Sequence, residues 1–137
     1  MNKKLLAIFI TSITLSFIVN NVVAEGLRWK KVKTVAFSIN QIPKGKIISN
    51  YNSPDKKYQL IYQKDISGNQ ALYIKSAKSY KFIDNFQEIK KVKWSEKSDK
   101  VSFEAIKEIN IDEISYWKIN YLPNMNVAFS QVLQMKR

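Results

Sequence analysis

The sequence of 137 residues contains no cysteine and no histidine, and only three glycines and three prolines. Without cysteine the chain can form neither a disulfide nor a thiol nucleophile, and without histidine it has no imidazole to serve as a general base or metal ligand. Serine–histidine and cysteine–histidine catalytic pairs and histidine-ligated metal sites are therefore excluded. Stability must come from packing and from backbone pairing.

Acidic residues are also few, 11 against 23 lysines and arginines. Two neighbouring carboxylates can hydrolyse a glycosidic bond, and the candidates for such a pair are Glu104, Glu108, Asp112 and Glu113. These four acids flank a predicted hairpin loop, where acids are usually solvated, and their spacing matches no calcium-binding loop. We therefore expect no enzyme activity, no catalytic residue, no cofactor and no metal site.

A long apolar run occurs at the N-terminus. Lys3 and Lys4 precede an apolar stretch from Leu5 to Val19, and the small-residue sequence Val22-Val23-Ala24 follows it. This pattern predicts a secretory signal peptide over residues 1–24, cut before Glu25. The alternative is an uncut anchor, but the run of 15 residues is shorter than the ~20 of a membrane-spanning helix. We expect a periplasmic or secreted protein with no membrane-spanning segment after cleavage.

The chain is strongly basic after the expected cleavage. Residues 25–137 carry 21 basic and 11 acidic side chains, a net charge of +10, and Arg28 and Arg137 are the only arginines. Such a protein is attracted to anionic surfaces, such as lipid headgroups or acidic envelope polymers. Because arginine is scarce, the chain has few guanidinium groups for bidentate recognition of phosphate. Export makes nucleic acid the least expected partner. The alternative is that the lysines form a solvated surface and protect strand edges.

Apolar and polar residues alternate with the period of β-strands after residue 26. In one such run Val101 and Phe103 alternate with Lys100, Ser102 and Glu104. Short connections rich in turn-forming residues favour antiparallel hairpins. We predict one all-β domain over residues 25–137, with a short helix near 86–91 as a local alternative. The predicted strands are 27–38, 46–52, 58–63, 71–76, 80–84, 89–94, 100–105, 114–121 and 126–134.

The predicted strands repeat along the chain. The run 51–62, which contains Ser53-Pro54-Asp55, aligns with 93–103 at a spacing of about 42 residues. An aromatic strand follows each copy, with Tyr73 at the centre of the first and Trp117 in the second. Two repeats of about 46–88 and 89–134 result. A period near 40 residues with four strands per unit is typical of propeller blades.

Over residues 46–121 the chain resembles the TolB-type β-propeller repeat, whose blade carries a Trp-Ser-Pro-Asp-Gly turn and a later Gly-Asn loop. The first copy keeps Ser53-Pro54-Asp55 and Gly68-Asn69, and the second keeps Trp94-Ser95. Asn52 and Lys56 stand where the repeat usually has Trp and Gly. The resemblance implies antiparallel four-stranded meanders that serve as recognition surfaces. Two blades cannot close a ring, which leaves three alternatives: chains assemble to complete a ring, the two meanders pack as a small sandwich, or the chain is a remnant of a longer ancestor.

Two tetrapeptides near the ends of the chain are similar. Val35-Ala36-Phe37-Ser38 resembles Val127-Ala128-Phe129-Ser130. This similarity is either chance likeness between two strands or a sign that the terminal strands pair.

Aromatic and basic residues provide the candidate partner site. Tyr116 and Trp117 are adjacent on one predicted strand, so their side chains point to opposite faces and one of them should be exposed. With Lys90, Lys91 and Lys93 they form the predicted partner-binding set. We expect a non-enzymatic binding module of the cell envelope, with an envelope protein or an anionic envelope polymer as partner. The alternative is a small secreted basic effector or inhibitor that acts on anionic envelope material through its net charge.

Overall fold

A computed structural model describes residues 28–136, which fold into an all-β domain. Eight of the predicted strands appear within a few residues of their expected positions, and the predicted strand 27–38 is divided into two. The strands in chain order are β1 (Lys30–Val35), β2 (Phe37–Ile39), β3 (Gly45–Asn52), β4 (Tyr58–Asp65), β5 (Gln70–Ser76), β6 (Tyr80–Asn85), β7 (Glu88–Trp94), β8 (Val101–Asn110), β9 (Glu113–Leu122) and β10 (Val127–Lys136).

The strands form two antiparallel five-stranded sheets. The first sheet has the order β2-β6-β5-β4-β3, and the second sheet has the order β1-β10-β9-β8-β7. Strands β3 to β6 and β7 to β10 are thus two four-stranded meanders, and β1 and β2 add one edge strand to each. The predicted all-β class and antiparallel meanders are confirmed, and the arrangement is that of a small sandwich.

The core lies between the facing sides of the two sheets, which we call the inner faces. Leu60, Leu72 and Ile74 of the first sheet pack with Phe103 and Tyr121 of the second, all nearly inaccessible to solvent. In β8 the inward residues alternate with polar ones such as Ser102 and Glu104, and burial of the inward apolar residues is why the meanders pair. The outer face of the first sheet is also apolar, with Ile61, Ala71 and Tyr73 buried beneath partly buried residues that include Ile39 and Ile42.

Two turns with the same hydrogen bonds join β3 to β4 and β7 to β8. The Ser53 N–H donates to the Tyr58 carbonyl at 2.9 Å, and 42 positions later the Ser95 N–H donates to the Lys100 carbonyl at 2.9 Å. Each serine hydroxyl also donates to an aspartate of its own turn, Asp55 and Asp99 respectively. The third residue after each serine, Lys56 or Ser98, has a left-handed φ, 63° and 62°. Lys56 thus adopts the conformation that glycine favours.

When residues are matched through these equivalent turns, the two sheets present opposite faces to the core. Leu60 points inward, whereas Ser102, 42 positions later, lies on the outer side of β8, because the inward residues there are Val101 and Phe103. The outer face of the second sheet is therefore equivalent in position to the inner face of the first, but it carries the polar residues Ser102 and Lys118 where the first sheet has Leu60 and Leu72. Among the described residues, no further sheet packs on this outer face.

The first predicted strand crosses from one sheet to the other at Ala36. Val35 lies opposite Val127 of β10, whereas Phe37 lies opposite Phe82 of β6. Ala36 is 7% exposed, and its carbonyl accepts a hydrogen bond from Asn126 Nδ2 at 3.0 Å. The similar tetrapeptides thus pair at Val35 but not at Phe37.

The structure has a strand where a short helix was the alternative, and it does not describe the predicted signal peptide. The segment 86–91, weighed as a short helix, enters β7 at Glu88 and pairs with Ile106 of β8. The strand is favoured because Ile89 thereby packs on the core. The predicted signal peptide, residues 1–24, lies outside the described residues.

Candidate functional site

The outer face of the second sheet contains four of the five predicted partner-binding residues. Antiparallel pairing aligns its side chains in rows that cross all five strands from β1 to β7, over about 19 Å. The first row contains Lys33, Phe129, Asn120, Ser102 and Lys93. The second row contains Lys31, Gln131, Lys118, Glu104 and Lys90.

Three lysines of this face lie over aromatic rings. The Lys118 ammonium is 4.8 Å from the centre of the Trp29 ring, Lys90 is 5.6 Å from Tyr116, and Lys33 is 5.9 Å from Phe129. A ring face attracts a cation, by about 0.5–1 kcal/mol where the pair is exposed. The rings therefore restrict three long side chains that would otherwise be mobile. Trp29 and Phe129 are 42% and 44% exposed, so a ligand can reach them.

Positive charge is in excess on this face. Glu104 forms an ion pair with Lys91 at 3.6 Å. Lys91 lies at a β-bulge between Lys90 and Lys93 and has a φ of 56°, which directs its side chain toward Glu104. By register and contact the face carries six lysines and three carboxylates, namely Lys31, Lys33, Lys90, Lys91, Lys93, Lys118, Glu88, Glu104 and Glu108.

Tyr116 lies in the row beyond Lys118, opposite Ile106 of β8 and Leu133 of β10. Burial, and to a smaller extent the negative charges of Glu88 and Glu104, together raise the pKa of its phenol to about 12. The phenol is therefore neutral at physiological pH and presents a hydroxyl group together with its ring.

Trp117 faces the other way. Its indole packs edge-on against Phe86 at 6.0 Å, and its Nε1 donates a hydrogen bond to Ser115 Oγ at 2.8 Å. The Lys107 ammonium lies 5.7 Å from its ring. The structure thus separates Trp117 from Tyr116, Lys90, Lys91 and Lys93 and places it at the margin of the core.

Sequence reasoning missed several residues of the face, namely Trp29, Lys31, Lys33, Lys118, Asn120 and Phe129. Alternation within β9 could have grouped Lys118 and Asn120 with Tyr116. Trp29 and Lys33 reach this face only because β1 pairs with β10. The similar tetrapeptides were the one signal of that pairing.

Two of the four candidate carboxylates have defined partners. Glu104 pairs with Lys91, and Glu113 accepts a hydrogen bond from the Asn110 amide at the β8–β9 turn. Within residues 28–136 no three acidic side chains come together as candidate metal ligands. The same part of the chain contains no helix long and apolar enough to cross a membrane.

Comparisons with protein-family models, with curated proteins and with solved structures find no match for this chain. The distinguishing features of the outer face of the second sheet are its restrained lysines, its accessible rings and its deficit of acids.

Proposed function

We propose that this protein is an exported, non-enzymatic binding module of the cell envelope and that the outer face of the second sheet is its binding surface. The observation that carries the proposal is the set of three lysine–aromatic pairs on one face of one sheet. Side chains restrained before binding lose less conformational entropy when a ligand arrives. Such a surface is better suited to recognition than a face of freely moving lysines.

The equivalence of the two sheets supports a binding role for this face. Its position corresponds to the inner face of the first sheet, where Leu60 and Leu72 pack in the core. Polar residues such as Ser102 and Lys118 at these positions leave the face open to solvent instead of to another sheet. We further propose kinship with the TolB-type repeat, supported by the matching Ser53 and Ser95 turns.

The available chemistry favours binding over catalysis. The chain has no histidine or cysteine, and the carboxylate most central to the face, Glu104, is paired with Lys91.

Export is proposed from residues 1–24 and has its own test. Expression of the full chain in a secreting bacterial host should yield a periplasmic or secreted protein. Mass spectrometry should find Glu25 at its N-terminus. An intact N-terminus in the membrane fraction would support the uncut anchor and contradict the proposal.

A second candidate function is a basic effector or inhibitor that acts on anionic envelope material through net charge. The observation that favours it is a second basic cluster, which lies on the first sheet. Lys46 and Lys64 lie directly opposite each other on β3 and β4, and both line an open groove with Lys44. Like charges in this position repel each other.

Two matched variants distinguish the candidates. Lys31, Lys90 and Lys118 are changed to Gln in one variant, and Lys44, Lys46 and Lys64 in the other, so that both lose three charges. If the outer face of the second sheet is the binding surface, only the first variant should lose its partners in capture from envelope extracts. Equal losses, with binding that weakens steeply as salt rises, would support net charge as the cause.

A further inference from the structure

The order of chemical groups in the first row is informative about a ligand. Lysines stand at both ends of the row, Lys33 on β1 and Lys93 on β7, with the Phe129 ring, the Asn120 amide and the Ser102 hydroxyl between them. Ser102 Oγ donates to Asn120 Oδ1 at 2.7 Å, which orients the amide and leaves its Nδ2 group as a donor. A sugar presents the matching groups: hydroxyls for an amide and apolar C–H faces for a ring.

The second row provides regularly spaced charge. Lys31, Lys118 and Lys90 occupy β1, β9 and β7, which are alternate strands of the sheet, and Gln131 and the Lys91-paired Glu104 lie between them. Neighbouring lysines of this row are thus about 10 Å apart at the backbone. This spacing is close to the length of a disaccharide unit in an extended polysaccharide. A chain that crosses the strands can therefore bring one acidic group to each lysine.

The spacing of the cations indicates the kind of polymer. Every basic residue in the two rows is lysine, whose ammonium is a compact point charge that pairs with a single carboxylate or phosphate. The cation type therefore leaves the anion open, and the choice rests on the other features of the face. One anion for every ~10 Å of ligand, beside the Asn120 amide and the Phe129 ring, fits a polymer of acidic sugars.

We propose that the outer face of the second sheet binds a linear polysaccharide of carboxylate-bearing sugars, lying across the strands from β7 to β1. This inference rests on the proposed function and names its ligand class. Lys31, Lys118 and Lys90 bind the carboxylates, and Asn120 and Phe129 contact the sugar rings. The Trp29 ring restrains Lys118, the central cation.

The first test uses the full chain, purified after expression in a secreting host, and polygalacturonate as the probe. Calorimetry should detect binding, and fully methyl-esterified polygalacturonate, which has the same sugar backbone without the charge, should bind at least about tenfold more weakly. Changing Lys31, Lys90 and Lys118 together to Gln should weaken binding by about tenfold. The matched change of Lys44, Lys46 and Lys64 should leave it within about twofold.

The second test separates sugar recognition from charge. Poly-glutamate carries carboxylates without sugars, so it should bind more weakly than polygalacturonate of equal charge. Asn120→Ala should reduce binding of polygalacturonate several-fold and leave binding of poly-glutamate unchanged, because only the sugar uses the amide. Circular dichroism and thermal unfolding should show that each variant remains folded.

The outcomes also separate this inference from the proposed function. Equal affinity for poly-glutamate, or tighter binding to vesicles of anionic lipid, would overturn the inference that the ligand is a polysaccharide. The proposed binding surface would still stand if the Lys31, Lys90 and Lys118 variant loses its partner in envelope extracts. If the protein does not bind polygalacturonate but captures an envelope protein through the same three lysines, the polysaccharide inference would likewise be overturned and the binding surface would stand. Equal loss in both triple variants would overturn the inference and the proposed surface together.

Discussion

At the scale of single residues, the two equivalent turns achieve one backbone conformation in different ways. Lys56 and Ser98 both have a left-handed φ, which costs a non-glycine residue about 1–2 kcal/mol. Ser98 is buried, and its hydroxyl accepts a hydrogen bond from the Asp55 N–H at 3.0 Å. Lys56 is exposed and its side chain has no comparable role in the turn. The strain at Lys56 is therefore less well compensated.

Lys56→Gly should stabilise the protein. Glycine removes the left-handed strain but makes the unfolded chain more flexible, so we expect the free energy of unfolding to rise by about 0.5–1 kcal/mol. Urea denaturation measures this change. Lys57→Gly, at the next position, should lower the free energy of unfolding. A decrease of equal size for both variants would show that Lys56 is not strained.

Asp55 should make stability depend on pH under acidic conditions. The Lys57 backbone N–H and then the Ser53 hydroxyl donate to its carboxylate and lower its pKa from the ordinary value of 3.8. The charged form thus stabilises the fold at pH values above 3.8, and this contribution declines as the pH falls through the lower folded-state pKa. Asp55→Asn should flatten this acidic part of the stability curve, as measured by urea denaturation at several pH values. A constant difference between wild type and variant at all pH values would contradict the assignment.

At the scale of elements, one ion pair joins the two sheets at the margin of the core. The Lys107 ammonium on β8 contacts both Asp84 carboxylate oxygens on β6 at 2.7 Å. The same ammonium lies 5.9 Å from the Phe86 ring and 5.7 Å from the Trp117 ring. Asp84 and Lys107 are each about one-third exposed, with side-chain exposures of 31% and 35%. Water therefore weakens this pair less than it weakens a fully exposed one.

Lys107→Ala should lower the free energy of unfolding by about 1–2 kcal/mol, because it removes the ion pair and the ring contacts. Lys91→Ala breaks the pair with Glu104, in which the lysine is 71% exposed, and should cost less than about 0.5 kcal/mol. Urea denaturation compares the two variants, and Asp84→Ala completes a double-mutant cycle. A coupling energy near zero would mean that the pair does not hold the sheets together.

At the scale of the whole molecule, each free sheet edge is protected against further pairing. The edge strands β3 and β7 each contain a β-bulge, and β2 has only three residues. Strand β1 carries Lys30, Lys31 and Lys33. Bulges, short strands and lysines all disfavour edge-to-edge association. The sandwich should therefore remain a monomer at low and at moderate salt, as measured by light scattering.

Lys46→Val should remove part of this protection. On β3, Ile47 and Ile48 are about half exposed, and the change would create a run of three β-branched residues on an edge strand. We expect dimers or larger species that increase with protein concentration in light scattering. Lys46→Gln, which removes only the charge, should associate less. A monomeric Lys46→Val variant would show that the bulge is sufficient.

Local patterns predicted the strands well because turn-forming residues mark the beginning or the end of most strands. Ser53 and Pro54 precede β4, and Gly68 and Asn69 precede β5, so alternation between these turns is easy to read. The crossing at Ala36 could not be predicted, since no glycine, proline or asparagine interrupts the run from Lys30 to Ser38. The strand is divided by contacts with β10 and β6, which are distant in the sequence.

The candidate surface was only partly predictable for a similar reason. Alternation in β9 shows that Tyr116 and Trp117 face opposite ways, but not which side the other sheet covers. Lys118 and Trp29 come together because β1 lies beside β10 and β10 beside β9. Only the order of the strands provides this information.

The pairing of β1 with β10 also has a consequence for export. Val32 lies opposite Ser130, so the second sheet joins segments from opposite ends of the described chain, and pairings of such high sequence separation form slowly. This sheet cannot be completed until β10 has left the ribosome. If the protein is exported, the late pairing would favour an unfolded chain during passage through a translocation channel. The fold would then be completed in the compartment where the protein acts.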